Sequence, residues 1–426
     1  MKKRKRIGAS LLLVCGLGAA AAGPALAQDG SGPDPVFETP APLSMAELAR
    51  RATDGVSAAE VKDYVAGHYK GELAPSPPHA DVNPKRAVVV FWKGQPQRFV
   101  FSHEASYCPW LELPNGAGMA NQFFEGNLGD AELLNNPGRK EKNSFVDIVQ
   151  SGPQRVWVRW HYFCVNMNDD TRPRLRGTED YIAYPNGLVW RRMKYESLMP
   201  DQVVGYSTQP VELFGVAPLG AALRDLFPQD AEHGDYHALA AMDLYADRRY
   251  DVFWGEEGRA RRRGDDRTLE AISRSPGYAL VLPFKQQMLF AAMGASSGFP
   301  REKSQLVDHC TPGAEGGCGW GVGRWDHWPI GWLNSQTSLW KPASPYPYSF
   351  GSIGHFIVSD RKRIRVFGKD YTDLCGDMEL NRWTTRRVFY VLLGSAREWG
   401  DVRRIARAWL DKGAACARPE SIADLR

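Results

Sequence analysis

From residue 87 onward the apolar residues come in short runs. Some alternate strictly with polar residues, some are unbroken, and Gly, Pro and Asn separate them. Ala87–Trp92 and Gln97–His103 flank a Lys-Gly-Gln-Pro turn, and Tyr107–Leu113, Gly118–Gly126, Ser144–Gln150 and Pro210–Val216 repeat the pattern. Side chains alternate faces along a strand, so these runs predict strands. Asp235–Asp247 and Tyr278–Phe290 are weaker strand-like runs, Pro283–Ala292 is apolar enough for core, and Tyr348–Val358 and Lys362–Phe367 read as closing strands. Short strands with regular turn punctuation predict a mostly β chain built as a large antiparallel β-sandwich.

The strongest alternation lies in Arg155–Val165. Val156, Val158, Trp160, Tyr162 and Cys164 fall on one face, and Arg155, Trp157, Arg159 and His161 on the other. A polar loop, 166–177, leads to a hairpin, Thr178–Pro185 and Leu188–Glu196, around Asn186-Gly187. Asn-Gly suits a two-residue type I′ turn, whose central residues both need positive φ. That register sets Tyr181 opposite Arg192 and Glu179 opposite Lys194, with Trp190 on the same face. Two neighbouring pieces then each present arginine, aromatic and titratable groups.

The ends of the chain have a different pattern. Ser44–Arg51 and Ser57–Lys70 read as two short amphipathic helices, the second with Ser57 at the cap and Glu60 at the capping-box position. Trp399–Leu410 carries Val402, Ile405, Ala406 and Trp409 on one side, predicting a helix that Gly413 stops. Residues 1–27 have the form of an export signal: five basic residues, an apolar stretch and Ala25-Leu26-Ala27. A Pro-rich leader and linker, 28–84, precede the sandwich, 85–412, and 413–426 form a tail. The charged run Arg259–Arg263 reads as a solvated loop. The glycine-rich 313–323 lacks the Lys-Ser/Thr of a phosphate loop.

Charge changes the picture only by subtraction. The 53 Lys+Arg stand against 49 Asp+Glu, but five of the basic residues lie in the signal, and removing them leaves 48 against 49. A nucleic-acid partner therefore has no global charge support. No run of about 18 apolar residues follows the signal, so no membrane span is expected after processing. Six cysteines remain beyond Cys15, an even count that suggests disulfides in an exported chain. Cys310 with Cys318 is the favoured pair, with Cys108–Cys164 and Cys375–Cys416 as further candidates. Cysteine-zinc sites want tighter spacing, so no metal or cofactor is expected, although a structural Ca²⁺ at Asp169-Asp170 stays open.

Seven pieces of the chain occur in an order that resembles a secreted polysaccharide-lyase-like family with ulvan-lyase-like members. They are Val90-Phe-Trp-Lys-Gly94, Ser106-Tyr-Cys-Pro-Trp110, Asn121-Gln-Phe-Phe-Glu125, Arg155-Val-Trp-Val-Arg-Trp-His-Tyr162, Glu179-Asp-Tyr-Ile-Ala-Tyr-Pro-Asn-Gly187, Asp326-His-Trp-Pro329 and Arg404-Ile-Ala-Arg-Ala-Trp409. The resemblance spans roughly residues 86–412. It implies a supersandwich related in fold to sugar mutarotases, and cleavage of an acidic polysaccharide by β-elimination. The pattern departs at Phe145, where it would carry a histidine, in the transposed Cys108-Pro109, and in a short 166–177 loop.

Elimination on a uronide needs positive charge at the carboxylate, a base for the C5 proton and an acid for the leaving oxygen. Arginine suits the first role through its planar, permanently charged fork, which points to Arg159 and Arg192. His161 titrates near neutrality, and Tyr181 beside an arginine is a second proton-transfer candidate. Asn121 or Glu125 would orient the carboxylate, Trp157 and Trp190 would stack on sugar rings, and His327 and Trp328 would line a cleft rim. The alternatives are a hydrolase using two carboxylates, with Glu125 and Glu179 as candidates, or a glycan-binding protein without catalysis. His161 is equally compatible with a buried, hydrogen-bonded histidine, and the Tyr181 and Glu179 pairs with ordinary cross-strand contacts.

Overall fold

The predicted alternation resolves into two antiparallel arrays. In the computed structural model the described residues are 43–51, 54–64, 86–95, 97–103, 105–122, 125–126, 131–132, 143–166, 173–197, 207–217, 221–254, 260–302, 304–308, 348–358, 362–366, 369–373 and 386–425. Helix α1 (Met45–Arg51) is followed by strands β1 (Val56–Val61), β2 (Ala87–Trp92), β3 (Arg98–Ser102), β4 (Pro109–Glu112), β5 (Gly118–Asn121), β6 (Glu125–Gly126) and β7 (Ala131–Glu132). Next come β8 (Ser144–Gly152), β9 (Arg155–Asn166), β10 (Pro173–Ala183), β11 (Val189–Ser197) and β12 (Ser207–Ala217). Helix α2 (Leu223–Leu226), β13 (Tyr236–Asp243), β14 (Arg249–Trp254), β15 (Ala260–Arg263), α3 (Asp266–Ser273), β16 (Gly277–Pro283), β17 (Met288–Gly294) and β18 (Ser304–Asp308) continue the chain. It closes with β19 (Tyr348–Val358), β20 (Lys362–Val366), β21 (Lys369–Asp373), β22 (Arg386–Ala396) and α4 (Trp399–Leu410).

One array runs β8–β9–β10–β11–β22–β17–β16–β13–β14–β15, antiparallel at every step. The other runs β1–β2–β3–β4–β5–β12–β19–β18. The short β6 and β7 link them, from β12 to β9. Inner faces meet in one apolar cluster, with Val90, Phe99, Leu111 and Met119 from one array and Val158, Trp160, Tyr181 and Val391 from the other. This is the expected antiparallel β-sandwich.

Helices cover two outer faces. In α4, Val402, Ile405, Ala406 and Trp409 are buried against Leu188, Trp190, Ala292 and Leu392, on the stripe that its sequence predicts. The 3₁₀ turns at Gly413–Ala417 and Pro419–Ile422 bury Cys416 and Ile422 in the same cluster. In α1, Leu48 packs on Val89, Val100 and Trp110. Ser44 caps α1 reciprocally: the Glu47 N–H donates to Ser44 Oγ at 3.1 Å and the Ser44 N–H to Glu47 Oε2 at 2.7 Å. The described part of the expected second helix is instead β1. Val56 and Val61 are fully buried, and all six residues pair with β2, so tertiary pairing overrides the local capping signal.

Three further expectations are corrected. Arg261, Arg262 and Arg263 do not lie in a solvated loop. They sit in β15 and form ion pairs with Asp235, Asp308 and Asp230. The hairpin turn holds three residues, not two. The Gly187 N–H donates to the Tyr184 C=O at 3.0 Å and the Tyr184 N–H to the Leu188 C=O at 3.1 Å, with Gly187 at φ 78°. Pro185 has no N–H to give a ladder, so it enters the loop, where its fixed φ suits a type I turn closed by a left-handed glycine. Finally, Cys108, Cys164 and Cys416 carry thiols, with no disulfide between Cys108 and Cys164. Cys416 Sγ donates to the Ser296 C=O at 3.0 Å, and burial pushes its pKa up to about 11. Cys310, Cys318 and Cys375 lie outside the described residues.

Candidate functional site

The turn decides what each face of β9–β11 carries. With Tyr184 paired to Leu188, Tyr181 faces Arg191, Asp180 faces Arg192 and Glu179 faces Met193. This is one residue away from the register that an Asn-Gly turn predicts, and a one-residue slip moves every side chain to the opposite face. The expected pairs Tyr181–Arg192 and Glu179–Lys194 therefore do not form. Arg159, His161 and Arg192 lie on the outer face, whereas Tyr181 and Glu179 lie on the inner one.

The inner face holds a buried ion pair. Arg191 Nε donates to Glu179 Oε2 at 2.7 Å, and both side chains are 0% exposed. Tyr162 Oη donates to Glu179 Oε1 at 2.8 Å, Tyr181 Oη donates to Oε2, and Arg191 also donates to the Gln122 C=O at 2.9 Å. Burial raises the Tyr181 pKa well above its ordinary value, and Glu179 adds to that against the opposing pull of Arg191. Tyr181 is thus a neutral phenol packed between Phe99 and Phe101, remote in kind from a base. Asn121 is buried in β5, and its amide makes no hydrogen bond among the described residues.

The outer face over β8–β11 is open and charged. Asp180 sits at its centre. It accepts from Arg159 Nε at 2.7 Å, from Trp157 Nε1 at 2.8 Å, and from Arg192. Asp180 is nearly buried, yet both arginines keep about a third of their surface open. Two rows along, Glu196 takes Arg176 and Lys194, the latter at 3.1 Å. Those bonds, Arg176 foremost, hold its pKa below the usual value. Between the two carboxylates lies the row His161–Thr178–Lys194. The His161 Nδ1 is 3.4 Å from Thr178 Oγ1. Partial burial lowers the His161 pKa and Arg159 lowers it further, against Asp147 and Asp180, which raise it. The imidazole is therefore neutral at neutral pH.

The proposed sugar platforms separate. Trp157 stays on this face, but the Arg159 guanidinium lies 4.9 Å over its ring. Trp190 is buried under the C-terminal turns, where its Nε1 donates to the Cys416 C=O at 3.0 Å. His327, Trp328 and the Asp169-Asp170 pair lie outside the described residues, as does the Glu125 side chain. Sequence reasoning missed Asp180, which organises the face, and Arg191. The Pro before Asn-Gly was the available signal for both. Among the described residues one acid-rich group, Asp230, Glu232 and His233, has a metal-like spacing, but Arg263 already binds Asp230.

No protein-family profile and no curated protein matches the chain. Among solved structures it is similar to a galactose 1-epimerase from Lactobacillus acidophilus NCFM, with 9% identity and a TM-score of 0.32. That alignment covers 81% of this chain and 100% of the epimerase. No residue role passes between chains at that identity.

Proposed function

We propose that this protein acts on an acidic carbohydrate at the open face of β8–β11 and cleaves it by β-elimination, with His161 as the base. The observation that carries the reading is the position of His161. It lies between two carboxylate-centred groups, Arg159–Asp180–Arg192 and Arg176–Glu196–Lys194, whose four cations outnumber Asp180, Glu196 and the neighbouring Asp147 by one. A sugar carboxylate held there is neutralised, which acidifies its C5–H. With Nδ1 turned to Thr178, Nε2 takes the C5 proton. The C5–H electron pair becomes the C4–C5 double bond, the C4–O bond breaks, and the departing oxygen recovers the proton from the imidazolium. Tyr181 has no part in this scheme, and one histidine serves as base and then acid. The export-type signal supports a site of action outside the cytoplasm.

Incubation with alginate, polygalacturonate and hyaluronan tests the reading through the ultraviolet absorbance of a 4,5-unsaturated uronide. His161→Gln is expected to lower kcat by about 100-fold or more. New reducing ends without that absorbance indicate a hydrolase. Binding without either product indicates a glycan-binding protein, a reading that the burial of Tyr181 favours because it removes the second proton-transfer group. Full activity in His161→Gln removes His161 from the chemistry.

A further inference from the structure

Phe145 is the most exposed large hydrophobic among the described residues, at 57%. A single exposed phenylalanine needs no explanation by itself. Its position does: it is the direct cross-strand partner of His161, on the open face. Directly opposite residues on one sheet face have Cβ atoms about 5 Å apart, so the ring stands beside the imidazole. The two tryptophans that would otherwise serve as platforms are engaged. Trp157 lies under Arg159 and is bonded to Asp180, and Trp190 is buried. The next outward residue of β8 is Asp147, opposite Arg159, so the apolar ring adjoins a charged row.

We propose that Phe145 is the platform on which the apolar C–H face of the uronide ring rests while His161 acts. This rests on the acidic-carbohydrate reading above and narrows the ligand. It favours a uronide residue with one face free of axial hydroxyls, lying flat on β8 with its carboxylate toward Arg159. A carboxylate alone, without the ring, gains little from this position.

The test compares Phe145→Ala, Phe145→Tyr and Val149→Ser on whichever of alginate, polygalacturonate or hyaluronan the full-length protein binds. Both positions are exposed, so all three variants should keep the wild-type unfolding midpoint. Covering one ring face corresponds to about a ten-fold effect on affinity. Phe145→Ala is therefore expected to raise KM, or Kd where there is no turnover, by about ten-fold, with the loss falling on KM more than on kcat. Phe145→Tyr should retain near-wild-type affinity and Val149→Ser should not change it. Wild-type affinity in Phe145→Ala overturns the proposal while leaving the His161 reading intact. An equal loss in Val149→Ser also overturns it, since the effect is then general surface hydrophobicity. Absence of binding to all three polymers by the wild type overturns both readings.

Discussion

Arg191→Met tests what holds the interior of the β10–β11 hairpin. The guanidinium and Glu179 are both fully buried, and the carboxylate accepts from Arg191, Tyr162 and Tyr181. Removing one partner of a buried pair costs about 3–5 kcal/mol, because the other charge is stranded. Glu179 keeps two phenol donors in the variant, which sets the expected loss near the lower end, about 3 kcal/mol. Glu179→Gln strands the arginine and should cost a similar amount. The double variant Glu179→Gln/Arg191→Met removes both charges and keeps an acceptor for the phenols, so its loss should be about 1–2 kcal/mol. The singles then fail to add by at least about 2 kcal/mol. Urea unfolding followed by tryptophan fluorescence measures each value, with an unchanged m-value as the control. A loss under about 1 kcal/mol for Arg191→Met, or additive singles, refutes the reasoning.

Three other outcomes follow from burial and charge. His355 is fully buried between Tyr278 and Ser304, and burial lowers its pKa to about 3. Its contribution is complete above the unfolded value near 6.5 and is lost as pH falls from there to about 3, up to roughly 5 kcal/mol. Unfolding free energies across that range should fall less steeply in His355→Gln. Gly177→Ala should cost about 1–3 kcal/mol in thermal or urea unfolding. A Cβ there would lie 2.1 Å from the Tyr162 ring, which is backed by Trp160 at 4.4 Å between centroids. An NMR titration of His161 should give a pKa below its ordinary value, moving up in Arg159→Gln and down in Asp147→Asn, since the first removes a cation and the second an anion.

Much of the architecture was legible because it is local. The β9 alternation and the α4 stripe are set by periodicities of 2 and 3.6, and both sort core from surface correctly. What sequence missed is non-local. Arg386–Ala396 gives no alternating signal because Val391–Ala396 is buried throughout, yet it is the central strand β22. Val56–Val61 carries a capping pattern, and only its pairing with Ala87–Trp92 makes it a strand. For the site the deciding residue was Pro185. Its missing N–H lengthens the turn by one residue, which moves Asp180 outward and Tyr181 inward. Glu179 and Tyr181, two of the six residues expected on one face, were on the right strands and the wrong face.

The place of β22 also bears on how the chain folds. Its partners β11 and β17 are read out long before it, and Val189 pairs with Leu393, roughly two hundred residues downstream. Until residue 396 has emerged, β8–β11 and β13–β17 are two separate ribbons, each with an unpaired edge. Joining them requires one late insertion between two waiting strands, a pairing of high sequence separation and correspondingly slow formation. The two ribbons can therefore become one array only once the last strand is available, and the helix that covers that strand follows it directly in the chain.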